Sequence, residues 1–170
     1  MKSGTSSGKL PFGKAFRQGN AVTRAALLLA SWFGVGLLPR APGTFGTLAA
    51  LPAVLLVRAA GTLGGLVLIL AFLALSVWAA GIAERVLGRT DPGEVVADEV
   101  AGFMVTLYLL PLSWPYLAGG FLLFRLLDIA KPFPIRRIER IQGGAGVILD
   151  DVAAGLIANL ILRGGAALFQ

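Results

Sequence analysis

Five carboxylates of this 170-residue chain stand at the ends of apolar segments, where a charged side chain is costly unless it is paired or bound to a cation. Four of them form two adjacent pairs, one before the apolar run that starts at Val100 and one before the run that starts at Val152. The chain contains no His and no Cys, and carboxylate oxygens suit a hard ion such as Mg²⁺. We therefore predict a metal site formed by Asp98, Glu99, Asp128, Asp150 and Asp151.

Each of these acids also has a purely structural interpretation. The first pair could complement a helix dipole, although two adjacent acids beside lipid exceed that need. The second pair could be the N-cap of the last helix. Asp128 stands three residues from both Arg125 and Lys131, which is the spacing of an ion pair on one helix face. Metal binding is preferred because it explains all five boundary acids together.

A tight turn from Arg40 to Thr44 is a candidate anion site. Gly43 leaves backbone amides accessible there, and Thr44 and Thr47 lie near a predicted helix start, where N–H groups can hold an anion. An ordinary turn between two helices would use the same residue types.

The composition indicates an integral membrane protein. Hydrophobic residues make up 56% of the chain, charged residues only 14%, and the mean hydropathy is +0.82. The formal net charge is +6, but the basic residues are scattered over loops, which favours anionic lipid headgroups over nucleic acid as partners. The absence of Cys and His excludes disulfides, thiol redox chemistry and hydrolases that depend on a Cys nucleophile or a His base.

Apolar runs predict an all-α, polytopic membrane helical bundle. The run over residues 63–83 has no charge and is long enough to cross about 30 Å of hydrocarbon. Residues 100–127 are too long for one straight helix, and the prolines at 111 and 115 divide them into a helical hairpin. The other predicted segments are a short or re-entrant helix within 25–38, a helix over 47–57 (at most 44–60), and a last span over 152–162 (at most to 169).

Charge placement predicts the topology. If the loop over residues 84–99 is cytoplasmic, alternating spans put the turn at Arg40 and the basic loop between Asp128 and Asp151 on the same side. The uncharged turn at 111–115 then lies outside. Residues 1–20, which carry four cations and no acid, are predicted to be a flexible cytoplasmic tail, and residues 21–170 a single membrane-embedded domain.

Four motifs in this order resemble the phosphatidylglycerophosphatase A family. They are APGT at residues 41–44 with GTLAALP at 46–52, DEVAG at 98–102, FRLLDIAKPFP at 124–134 and GGAGVILDDVAAG at 143–155. The resemblance spans roughly residues 37–160. It implies a Mg²⁺-dependent phosphatase of the bacterial inner membrane that converts phosphatidylglycerophosphate to phosphatidylglycerol. The topology predicted from the charges puts the active site on the cytoplasmic side.

That resemblance gives the candidate residues their roles. The five acids would hold the metal and supply the catalytic base, while Arg40, Thr44, Thr47, Arg125 and Lys131 would bind the phosphate groups of the substrate. The expected partners are the lipid substrate and membrane lipids, with no indication of an oligomeric state. Two other classes stay open: a small cation-coupled transporter, which also uses intramembrane carboxylates, and a non-catalytic lipid-binding scaffold.

Overall fold

Every regular element is helical in the computed structural model, which describes residues 10–138 and 141–168. The protein is an all-α membrane helical bundle, as the sequence predicts. The helices in chain order are α1 (Phe12–Gln18), α2 (Ala21–Ala30), a 3-10 turn (Val35–Leu37), α3 (Pro42–Ala49), α4 (Leu51–Ala59), α5 (Gly61–Leu87), α6 (Ala97–Leu107), α7 (Trp114–Ala130), α8 (Ile135–Ile138) and α9 (Gly144–Leu168).

Three helical segments of the described chain are long and apolar enough to cross a membrane. They are Pro42–Ala59, Gly61–Leu87 and Gly144–Ala167. The first joins α3 and α4 through Ala50, whose backbone stays in the right-handed helical region. At 1.5 Å per residue, α5 is about 40 Å long and exceeds the hydrocarbon thickness of about 30 Å.

The helical hairpin predicted between residues 100 and 127 is present as α6 and α7. Residues 108–113 separate the two arms, and Pro115 lies in the first turn of α7, where its missing N–H costs nothing. The arms pack through Phe103 and Phe124, whose ring centroids are 6.1 Å apart. Because α7 ends at Ala130, Asp128 lies in its last turn.

The last helix begins at Gly144 rather than at residue 152, which corrects the expected loop and the N-cap interpretation of Asp150 and Asp151. Both acids lie roughly two helical turns inside α9. The glycines before them serve close packing: a Cβ at Gly144 would overlap the backbone of α5 at Val77 and Gly81. A segment predicted to be part of the basic loop therefore forms a helix–helix contact.

The N-terminal region also differs from the predicted flexible tail. Residues 1–9 lie outside the described part of the chain, but residues 12–18 form α1, and Ala15 is only 1% exposed. Leu10 N–H donates to the carbonyl oxygen of Leu87 at 3.1 Å, and the Arg24 side chain donates to the carbonyl oxygens of Phe16 and Arg17. These contacts attach α1 to α2 and to the end of α5.

The short helix predicted within residues 25–38 corresponds to α2 and the turn after it. With ten residues, α2 spans only about 15 Å, which is half of the hydrocarbon layer. The chain then reverses through Trp32, Phe33 and Gly34, which all have positive φ. The reversal lets the carbonyl oxygen of Ala30 accept from Val96 N–H at 2.8 Å, directly before α6.

Candidate active site

Asp98 and Glu99 lie in the first turn of α6, where the free amides of a helix start favour negative charge. Asp98 is 8% exposed, and its Oδ1 accepts from the backbone N–H of Glu99 at 3.0 Å. This hydrogen bond at the helix start accounts for one oxygen atom of Asp98. It does not explain two acids, one of them buried, at the start of a helix whose remaining side chains are mostly apolar.

A close crossing of α6 and α9 brings Asp151 to this helix start. A Cβ at Gly102 would overlap the carbonyl oxygen of Asp151 and the ring of Phe124, and a Cβ at Gly155 would overlap the carbonyl oxygen of Gly102. Because residues four apart share a helix face, the faces that carry these glycines also carry Asp98 and Asp151. The two glycines therefore bring the two aspartates together.

Three carboxylates converge there: Asp98, Glu99 and Asp151 each offer an oxygen atom, and these atoms lie within 4.8 Å of one another. We call these residues the acidic trio. Asp151 is 3% exposed, and within the described chain Glu99 Oε2 and Asp151 Oδ2 are buried without a hydrogen-bond partner. Three clustered, poorly solvated carboxylates repel one another when ionised, and a bound cation would relieve that repulsion. The oxygen donors and unsatisfied atoms fit a hard divalent ion.

The other two predicted acids pair with basic side chains. Arg125 Nη1 lies 2.6 Å from Asp128 Oδ2 and 3.6 Å from Glu99 Oε1. The predicted ion pair on one face of α7 is therefore formed, but the same guanidinium also reaches the acidic trio. Lys131 Nζ, at the end of α7, lies 2.5 Å from Asp150 Oδ2 in α9. The five acids thus divide into a trio and two charge-paired residues beside it.

The start of α3 completes this face of the protein. Gly43 lies against the site, because a Cβ there would overlap Glu99 Oε1 and would lie 3.1 Å from Arg125 Nη1. Thr44, the next residue, is half-buried, whereas Arg40 is exposed. The anion-binding turn predicted from the sequence is therefore adjacent to the predicted acids.

Thr47 does not fit its predicted substrate-binding role. Its side chain is fully buried, and its hydroxyl donates to the carbonyl oxygen of Gly43 at 2.8 Å within α3. The hydrogen is already used, and no solvent reaches the group. We therefore leave Thr47 out of the candidate site and assign it to the packing of α3.

The positioning role of Gly43, Gly102 and Gly155 was not predicted from the sequence. A signal for two of them is present in the motifs, since Asp98 and Asp151 are each followed by glycine four residues later. An acid and a glycine on one face of an apolar helix indicate that another backbone approaches next to the acid.

Comparison with known proteins agrees with this arrangement. The family model described as phosphatidylglycerophosphatase A matches residues 28–166, which include α3 to α8 and all of α9 except its last residues. The chain belongs to the phosphatidylglycerophosphatase A family. The match contains the whole acidic trio, both charge pairs and the start of α3.

Two individual relatives carry the name of the same family. The chain is 41% identical over 138 residues to a phosphatidylglycerophosphatase A of Escherichia coli (strain K12), covering 79% of this chain and 80% of the relative. It is 37% identical over 138 residues to a phosphatidylglycerophosphatase A of Haemophilus influenzae, covering 79% and 85%. A relative from Bacteroides thetaiotaomicron, 36% identical over 150 residues (80% and 90% covered), is named provisionally as a phosphatidylinositol-3-phosphatase. No solved structure matches the chain.

Proposed function

We propose that this protein hydrolyses the terminal phosphate monoester of phosphatidylglycerophosphate, giving phosphatidylglycerol and inorganic phosphate, with Mg²⁺ held by Asp98, Glu99 and Asp151. The observation that carries the proposal is the buried acidic trio, whose oxygen atoms lie within 4.8 Å of one another. Membership of the phosphatidylglycerophosphatase A family supports the substrate.

Bound Mg²⁺ would supply Lewis-acid polarisation of the phosphoryl oxygen. The other steps of the reaction are carried out with the protein's own side chains. One carboxylate of the site accepts a proton from the attacking water as its oxygen bonds to phosphorus, while the bond from phosphorus to the glycerol oxygen breaks. The leaving oxygen takes up a proton and becomes the terminal hydroxyl of phosphatidylglycerol.

Arg125 is the best-placed cation for the phosphate group. It lies between Asp128 and Glu99 and beside Gly43, so a phosphate near the trio would meet its guanidinium and the start of α3. Its Nε is buried without a hydrogen-bond partner in the described chain. Lys131 and the Thr44 turn are proposed to add a second cation and backbone amides.

The proposed location is the bacterial inner membrane, with the site facing the cytoplasm. Just beyond the end of α7, the guanidinium of exposed Arg137 lies 5.0 Å from the ring centroid of exposed Phe133, and a basic and an aromatic side chain suit a headgroup layer. The uncharged turn at residues 108–113 joins the opposite ends of α6 and α7. This orientation would give the site access to lipids made on the cytoplasmic side.

The provisional name of the Bacteroides relative favours a second candidate substrate, phosphatidylinositol 3-phosphate. Both lipids carry a phosphate monoester on a polar headgroup, so the acidic trio would serve either one. The headgroups differ in size, and two of the named relatives carry the phosphatidylglycerophosphatase name. We therefore place phosphatidylglycerophosphate first.

The direct test measures phosphate release by purified protein in mixed micelles from each lipid, with Mg²⁺ or with a chelator. We expect Mg²⁺-dependent turnover of phosphatidylglycerophosphate and at most weak turnover of phosphatidylinositol 3-phosphate. Glu94→Gln is the matched control for acid variants, because Glu94 pairs with Arg89 outside the trio. Full activity in the chelator would refute the metal site, and a preference for the inositol lipid would reverse the substrate assignment.

A further inference from the structure

An apolar groove runs along the surface between α3, α4 and α7, next to the proposed active site. Its volume is about 290 Å³, and all the side chains that line it are apolar, among them Leu48, Phe103, Leu117, Ala118 and Phe121. A groove without a polar group offers no hydrogen bonds to a ligand. It is suited to hydrocarbon only.

The groove begins one helical turn from a polar or charged residue of the site on each of three helices. Leu48 follows Thr44 by four residues in α3, Phe103 follows Glu99 by four in α6, and Phe121 precedes Arg125 by four in the antiparallel α7. Residues four apart lie on the same helix face, about 6 Å from each other. The charged site and the groove therefore form one continuous surface, polar at one end and apolar at the other.

The groove has a closed floor and an open side. Phe103 is only 2% exposed and forms the floor, whereas Trp114 and Leu122 at the rim are 78% and 67% exposed. In a bilayer the open side faces hydrocarbon, because α3, α4 and α7 carry exposed apolar side chains around it. A lipid could enter from the membrane without leaving the apolar phase.

We propose that this groove binds an acyl chain of the lipid substrate while its phosphate is held at Arg125 and the acidic trio. The inference rests on the proposed lipid phosphatase function and specifies how the lipid is held. A phospholipid matches this surface from end to end: its anionic headgroup corresponds to the polar end, and its hydrocarbon tail corresponds to the apolar groove. A chain lying between Leu48 and Phe121 would orient the phosphate toward the metal site and contribute binding energy remote from the reaction.

The test fills the groove and compares substrates by chain length. Ala118→Phe places a ring in the groove, and Ala71→Phe, at an exposed position of α5 away from the groove, is the matched control. Rates are measured with dioleoyl and with dibutanoyl phosphatidylglycerophosphate, whose short chains cannot fill the groove. We expect Ala118→Phe to lower kcat/KM for the long-chain lipid about tenfold or more. The rate with the short-chain lipid and both rates of Ala71→Phe should stay near wild type.

The outcomes separate this inference from the function on which it rests. If the wild type turned over neither lipid, the proposed function would be rejected. If the wild type were active and Ala118→Phe had the same preference for the long-chain lipid as the wild type, only the acyl-chain site would be rejected. A change of oligomeric state in that variant, with unchanged kinetics, would show that a second copy covers the groove and would also overturn it.

A second measurement does not depend on any variant folding. Wild-type protein is photolysed with phosphatidylglycerophosphate that carries a diazirine near the middle of one acyl chain, and the labelled peptides are identified. We expect labelling concentrated on residues 114–122 and competed by unlabelled substrate. Labelling spread evenly over the lipid-facing surface, α5 included, would contradict a specific acyl-chain site.

Discussion

Gly102 in α6 lies directly against the backbone carbonyl of Asp151 in α9, with no room for a methyl group between them. This contact sets the distance between two helices that each bring an aspartate to the acidic trio. Bulk lipid solvates apolar side chains as well as a neighbouring helix does, so close backbone packing at small residues is a principal source of helix association in a membrane. The same contact therefore contributes to both stability and site geometry.

Gly102→Ala is expected to destabilise the protein and to weaken Mg²⁺ binding. Alanine improves helix propensity by roughly 0.5–1 kcal/mol, but overpacking at a rigid backbone contact costs about 1–3 kcal/mol, so the net effect is unfavourable. Gly164→Ala in α9 is the matched control, because a Cβ there meets nothing within 4 Å. Thermal unfolding in detergent and a Mg²⁺ titration of activity measure both effects. Equal behaviour of the two variants would contradict the packing argument.

Asp98→Asn and Asp151→Asn are expected to abolish most turnover while the protein still folds. Loss of a carboxylate that contacts the metal should lower kcat/KM by at least about a hundredfold, and excess Mg²⁺ should restore part of it. In the absence of Mg²⁺ the variants should melt no earlier than wild type, because each substitution removes a charge from a repelling trio. Asp128→Asn should also lose turnover, because Arg125 would lose the carboxylate with which it pairs. Wild-type rates in all three variants would reject the site.

Arg125→Ala tests phosphate recognition separately from metal binding. Removing one charge-assisted hydrogen bond costs about 1.5–3 kcal/mol, which corresponds to roughly ten- to a hundredfold in kcat/KM. The half-saturating Mg²⁺ concentration should change little, since a cation is not a metal ligand. Lys131→Ala should behave similarly, and Arg58→Ala, at an exposed position near the end of α4, is the control. Normal kinetics combined with earlier melting would identify Arg125 as a structural partner of Asp128.

The proposed topology can be measured with single cysteines, because the chain contains none. Ser113 and Gln142 are both exposed and lie in the two connections predicted to face opposite sides of the membrane. In intact cells an impermeant thiol reagent should label Ser113→Cys and leave Gln142→Cys unlabelled until the cells are permeabilised. The reverse pattern would place the active site outside.

The sequence by itself determined which residues are chemically unusual and where the apolar segments lie. Asp98 and Glu99 occur where an apolar run begins, and Asp128 occurs just before two prolines that end a helix, so their positions follow from local rules of helix formation. The same local rules predicted the hairpin formed by α6 and α7. Such features depend on residues within about one helical turn of each other.

Only the tertiary structure decided which acids meet. The sequence presented five equivalent carboxylates, whereas the fold groups Asp98, Glu99 and Asp151 and pairs Asp150 with Lys131. Adjacent residues on a helix point about 100° apart, and in α9 Asp151 joins the trio while Asp150 pairs with Lys131. Which of them faces α6 depends on how α9 crosses it at Gly102, a contact between residues far apart in the chain. The glycines four residues after Asp98 and Asp151 mark the two helix faces that meet, but local rules of helix formation do not fix how the helices cross.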